Sequence, residues 1–135
     1  MDFTGLRLGH VNIRATVLEE TVAWYERTLG LRRGQADTNP DASQNLWLFD
    51  AAGKACVHVN QLAPDDARAA EGHVDHFAFD VDDRAAMEAH LSEIGETYQT
   101  VTYRDVHMVQ FNLRDPNGVK VELTFRNQAL TDSTR

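Results

Sequence analysis

At 135 residues the chain has the length of one domain and can bury about two-thirds of its unfolded surface, enough to fold alone. Its net charge of −8, from 13 Lys+Arg against 21 Asp+Glu, repels phosphate backbones and sets nucleic acid aside as a partner. No apolar run approaches the ~20 residues that span a bilayer, the first residues lack a signal-peptide pattern, and the one cysteine, Cys56, forms no intrachain disulfide, so the expectation is a cytoplasmic protein with no membrane partner.

Leu8 to Arg14 alternates Val11 and Ile13 against His10, Asn12 and Arg14, the pattern of a half-buried strand. Thr16-Val-Leu-Glu19 reads as a capping box opening a helix. Leu18, Val22, Tyr25 and Leu29 form the buried stripe of that helix, and Gly30 supplies its left-handed cap. Leu31 to Arg33 reads as a short strand and Thr38 to Gln44 as a loop. Strands over Leu46–Phe49 and Ala55–Asn60 follow, joined by Asp50-Ala-Ala-Gly53. The first module spans about 6–62, and a polar linker about 63–73.

The second module, about 74–126, repeats the order. Phe77, Phe79 and Val81 alternate against His76, Ala78 and Asp80; Asp82 or Asp83 then caps a helix carrying Met87, Leu91 and Ile94. Thr97 to Arg104 is β-rich with no fixed register. Strands over Met108–Leu113 and Val119–Phe125 flank the turn Asp115-Pro-Asn-Gly118. Residues 127–135 form a polar tail expected to fray.

This duplication places four metal-competent side chains at matching points, His10 with His76 and His58 with Glu122. In all four strands the aliphatic and aromatic residues share one parity, and His10, His58, His76 and Glu122 share the other. Asn12, Asn60, Met108, Gln110, Asn112 and Thr124 fall with them, a polar face suited to a small-molecule pocket. Imidazole and carboxylate suit one borderline divalent ion (Fe, Mn, Ni, Co or Zn), with positions left open for substrate oxygens. His90, on the polar side of the second helix, His73 in the linker and His107 at a strand start read as ordinary surface or rim residues. Cys56 shares the parity of His58 without making a dyad with it. Trp24 and Trp47 read as core or interface.

Gly9-His10-Val-Asn-Ile13, Val22-Ala-Trp-Tyr-Glu-Arg-Thr-Leu-Gly30, His76-Phe-Ala-Phe-Asp-Val81 and Asp115-Pro-Asn-Gly-Val-Lys-Val-Glu-Leu123, in that order, resemble the vicinal oxygen chelate superfamily over nearly the full length. This is the superfamily of glyoxalase I, extradiol dioxygenases, methylmalonyl-CoA epimerase, fosfomycin resistance enzymes and bleomycin-binding proteins. The resemblance implies an α+β fold of two tandem βαβββ modules whose curved mixed sheets form a metal-binding cup. It implies His10, His76 and Glu122 as metal ligands, and a homodimer in which two chains share each site.

Position 58 separates the subfamilies. Glyoxalase I carries a glutamate there and the epimerase a glutamine, whereas His58 is similar to the acid–base histidine of the extradiol enzymes. The tyrosine usual in those dioxygenases falls at Asn112. The resulting expectation is a metal-dependent enzyme, a glyoxalase-like lyase or isomerase acting by proton transfer on a small oxygen-chelating substrate. In it Glu122 and His58 serve catalysis, and His58 is acid–base or a fourth ligand. Asn12, Asn60, Met108, Gln110 and Asn112 would bind substrate. The alternatives are an Fe(II) extradiol dioxygenase and a non-catalytic binder of an antibiotic-like small molecule.

Overall fold

Apolar alternation resolves into the same βαβββ order twice. The computed structural model describes residues 8–35, 43–63 and 76–128. Most of the 38–44 loop and of the linker, with His73, and the tail beyond 128 lie outside them. The chain divides into two compact units, Met1–Asp66 and Ala67–Arg135.

Unit one contains β1 (Val11–Ala15), α1 (Leu18–Leu29), β2 (Arg32–Gly34), β3 (Asn45–Phe49) and β4 (Ala55–Gln61). Unit two contains β5 (His76–Asp80), α2 (Arg84–Ile94), β6 (Gln99–Tyr103), β7 (Met108–Arg114) and β8 (Lys120–Arg126). The sheet orders are β1-β4-β3-β2 and β5-β8-β7-β6, each with one parallel pair at the first strand and antiparallel pairs elsewhere. The parallel pair follows from the helix. A strand that crosses over through α1 or α2 must return in the same direction.

The hairpins are set by the same device in both units. Asp50 Oδ1 accepts from the Ala52 and Lys54 N–H groups, and Asp115 Oδ1 accepts from those of Asn117 and Val119. Gly53 and Gly118 close the two turns at φ 83 and φ 82, a conformation that glycine alone adopts without steric cost.

Unit one buries Val22, Tyr25, Leu48, Val57 and Val59 completely, and Ile13 and Leu18 nearly so, which seats α1 on β4. Each such side chain contributes about 1.5–3 kcal/mol by leaving water. Leu29, at the end of the expected stripe, is only half-buried. In unit two the packing centre is aromatic. The Phe111 ring lies 4.5 Å from Tyr98 and 4.6 Å from Phe125, and the Arg84 guanidinium sits 5.5 Å above it. Of α2, Leu91 is fully buried and Met87 and Ile94 half-buried, so Arg84, held by Glu88 at 2.9 Å, completes the apolar contact.

The expected capping box at Thr16 does not form the start of α1. The helix begins at Leu18 with Val17 as N-cap, and Val17 has no polar side chain to offer. The carboxamide of Gln61, arriving from the end of β4, serves instead. Its Oε1 accepts from the Leu18 N–H at 3.2 Å, and its Nε2 donates to the Thr16 carbonyl at 3.0 Å. Asp83 caps α2 as expected, accepting from the Ala86 N–H. A glutamine joins it here too: Gln128 Oε1 accepts from the Arg84 N–H at 2.7 Å and Nε2 donates to the Val81 carbonyl. Gln128 and Asn127, expected in the fraying tail, are therefore tied down, Asn127 by its N–H to the His107 carbonyl.

Each glutamine satisfies a helix-start N–H that would otherwise be orphaned. Gln61→Ala and Gln128→Ala are each expected to lower stability by about 1 kcal/mol, read as a shift in urea midpoint without a change in slope.

Candidate metal and substrate site

Strand register places equivalent positions side by side in the two sheets. In unit one Asn12, His58 and Trp47 form a row, and the next row holds Asn60 and Asn45. In unit two the corresponding rows are Ala78, Glu122 and Asn112, then Thr124 and Gln110. His10 and His76 each lie two residues before the first member of the row. Cys56 and Lys120 each lie two before the last-strand donor, and Lys120 pairs directly with His76. The expected parity holds at the level of backbone pairing for His58, His76 and Glu122, whereas β1 begins at Val11 rather than Leu8 and leaves His10 just outside the ladder.

In unit one the two histidines are organised by an indole. Trp47 stacks on His58 with centroids 4.3 Å apart and planes 1° from parallel, and meets His10 edge-on at 4.7 Å. The His10 and His58 rings are 6.4 Å apart. Burial, and then the nearby His10, push the His58 imidazole below its ordinary value, so it is neutral at neutral pH. Its Nε2 is buried with no hydrogen-bond partner among the described residues, and the same is true of Trp47 Nε1. Asn12 and Asn60 are linked to each other: Asn12 Nδ2 donates to Asn60 Oδ1, and Asn60 Nδ2 to Asn45 Oδ1.

Cys56 Sγ donates to the Leu48 carbonyl at 3.6 Å. Burial, with Asp50 nearby, raises its thiol above the ordinary 9.0. Iodoacetamide should accordingly alkylate Cys56 more slowly at pH 8 than an exposed thiol, and its rate should level off at a higher pH than that of an ordinary thiol. A half-maximal rate near pH 7 would contradict the packing described for β4.

In unit two the donors form a charged cluster. Glu122 is 7% exposed, with His76 Nε2 3.5 Å from its Oε2 and Lys120 Nζ 3.3 Å from its Oε1. Gln110 Nε2 donates to Glu122 Oε2 at 3.0 Å and to Thr124 Oγ1 at 3.3 Å, fixing the carboxylate plane. Asn112 Oδ1 is buried without a partner beside a cavity of about 500 Å³ that Tyr98, Gln99, Arg114 and Lys120 also line. Met108 accepts through sulfur from Arg126.

Of the expected residues, His10 and His58 come together in one unit, and His76, Glu122 and Gln110 in the other. Among the described residues, neither unit gathers three His, Cys, Asp or Glu side chains into a cluster. Two neighbours escaped the sequence reading. Trp47 reads from the sequence as core or interface, although its β3 parity matches the His58 position across the ladder, and nothing in the sequence singles out Lys120 two residues before Glu122. His107 ends a short 3-10 turn in the left-handed region, φ 49, and is exposed; His90 is half-buried on α2.

The model of the Glyoxalase/Bleomycin resistance protein/Dioxygenase superfamily matches residues 7–123, from before His10 to just past Glu122. The chain belongs to that superfamily. Its twin βαβββ sheets are this superfamily's fold, and solved relatives share it. A glyoxalase-family protein of Bacillus anthracis has a TM-score of 0.73 at 20% identity, over 94% of this chain and 100% of that one. A lactoylglutathione lyase of Agrobacterium tumefaciens has a TM-score of 0.67 at 16% identity, over 91% and 96%. A glyoxalase/bleomycin resistance protein/dioxygenase of Alicyclobacillus acidocaldarius has 0.65 at 18%, over 90% and 92%. No curated protein matches the sequence. Among the described residues no helix is long and apolar enough to cross a membrane.

Superfamily members commonly use a divalent metal, and the donor chemistry here fits one. His58 Nε2 is a buried, unpartnered nitrogen on a neutral ring, and Glu122 turns one oxygen toward the nitrogen of His76. Such nitrogen and carboxylate donors suit zinc, iron, manganese, nickel or cobalt.

Proposed function

We propose that this superfamily member is a divalent-metal-dependent enzyme acting on a small oxygen-chelating substrate, a glyoxalase-like lyase or isomerase that works by proton transfer. The supporting observation is the matched pairing: the same two register positions carry His10 with His58 in one sheet and His76 with Glu122 in the other. In this reading His10, His76 and Glu122 are the ligands of the ion, and the protein works as a homodimer. The ion, when bound, polarises adjacent substrate oxygens and acidifies a neighbouring C–H or O–H.

His58 then accepts the proton, because its burial keeps it neutral and its Nε2 has no partner among the described residues. Gln110 holds Glu122 in place, and Asn112 offers a free acceptor to the substrate. The test is metal content by mass spectrometry, on protein purified without chelator or nickel resin, beside His10→Ala and His76→Ala. The expected result is near-stoichiometric metal in the parent and none in either variant. Metal absent from all three after reconstitution overturns the proposal. Iron, with oxygen uptake on a catechol panel, would redirect it to an extradiol-type dioxygenase; nickel, zinc or manganese without oxygen uptake supports proton transfer.

One observation favours a second reading. Lys120 already neutralises Glu122 at 3.3 Å, as a metal-free ligand-binding face would require. A non-catalytic binder predicts ligand affinity that survives both chelator and His76→Ala.

A further inference from the structure

Trp47 is 7% exposed, yet it lies on the strand face that carries His58, Asn12, Asn45 and Asn60 rather than on the aliphatic face of Leu46 and Leu48. An indole used only for packing gains most among aliphatic side chains, and its N–H then finds a carbonyl. Here the ring packs on two imidazoles, 4.3 Å from His58 in parallel stack and 4.7 Å from His10 edge-on, and Nε1 has no acceptor among the described residues. A buried donor left unsatisfied is unfavourable, and an indole nitrogen can only donate. The repeat adds an independent sign. Asn112 occupies the same row position beside Glu122, and it too carries a buried polar atom without a partner. In both sheets, then, the residue flanking the last-strand donor keeps one hydrogen-bonding group in reserve, a donor at 47 and an acceptor at 112.

We propose that Trp47 is a substrate-positioning residue: its ring face fixes the plane of His58, and its indole N–H donates to an oxygen of the bound substrate. This rests on the reading of an oxygen-chelating substrate at a metal held by His10, His76 and Glu122, and it adds the substrate's hydrogen-bonding requirement. The class selected is one whose chelating pair includes an oxygen (carbonyl, enolate or phenolate) that keeps a lone pair for the indole N–H, so a chelator that offers nitrogen or sulfur on that side is disfavoured.

The probe is acetohydroxamate, a small bidentate oxygen chelator, titrated into zinc-loaded protein by calorimetry, with Trp47→Phe as the variant that keeps a stacking ring and loses the N–H. Zinc content should be equal in the two proteins, and acetohydroxamate should bind the variant about tenfold more weakly. In parallel, the two indole N–H resonances of ¹⁵N-tryptophan-labelled parent protein, assigned with Trp24→Phe, are followed during the titration. The Trp47 signal should move downfield as the N–H gains its acceptor while that of Trp24 stays. Binding of acetohydroxamate to Trp47→Phe within twofold of the parent, or an unmoved Trp47 resonance in a saturated parent, overturns the Trp47 role and leaves the metal reading intact. A parent that takes up no zinc, or binds acetohydroxamate equally after chelation, overturns the metal reading and this inference with it.

Discussion

Glu122→Gln is expected to lower divalent-metal affinity by about a hundredfold or more, while Lys120→Met raises it by about tenfold. The two effects have one electrostatic origin. Glu122 is buried, with Oε2 turned to His76 and Gln110 and Oε1 to Lys120. Glutamine preserves size and its side-chain oxygen can keep accepting the hydrogen bond from Gln110 Nε2, so what disappears is the charge. A cation entering beside His76 then meets no carboxylate and still faces the Lys120 ammonium. Like charges a few ångströms apart in a partly buried site repel by about 2–4 kcal/mol. Methionine at 120 keeps much of the aliphatic stem, removes that repulsion and releases Glu122 Oε1 from its ion pair. Competition against a chromophoric chelator measures both variants. Equal affinities across parent, Glu122→Gln and Lys120→Met would remove Glu122 from the ligand set.

Phe111→Ala is expected to cost about 3–5 kcal/mol, against a total stability of about 5–15 kcal/mol for a domain of this size. Phe111 is fully buried, and its ring holds Tyr98, Phe125 and the Arg84 guanidinium within one cluster. Deleting it opens a cavity and strips Arg84 of the surface on which its charge is tolerated. Since α2 buries only Leu91 and Arg84 fully, the loss falls on the helix as well as on the sheet. Urea unfolding followed by far-UV circular dichroism gives the value. Phe77→Ala, at a half-buried position, should cost clearly less. A Phe111 effect below that of Phe77 would contradict the packing.

The fold was legible because its signals are local. Period-two alternation, two helical stripes ending in Gly30 and Gly95, and two Asp…Gly turns recur in the same order, and each needs only neighbouring residues to be read. The capping of α1 was misread for the opposite reason: Gln61 reaches Leu18 from 43 residues away, and nothing around Thr16 announces it. The candidate donors were visible through parity, which strand pairing preserves. Trp47 was not, since its neighbours are set by the β3–β4 ladder, which the sequence does not display. Lys120 escaped because a lysine on a strand is unremarkable until its partner across the ladder is known to be His76.

The shared register lets the two units be compared position by position. One carries neutral side chains on the face of His58, with Trp47, Cys56 and three asparagines. The other is ionic, with Lys120 where the first has Cys56 and Glu122 where it has His58. Every exchange between counterparts places a side chain on a backbone pairing that already accommodates the alternative. The chain thus carries an inherited set of tolerated substitutions, along which a laboratory lineage could shift its electrostatics one position at a time.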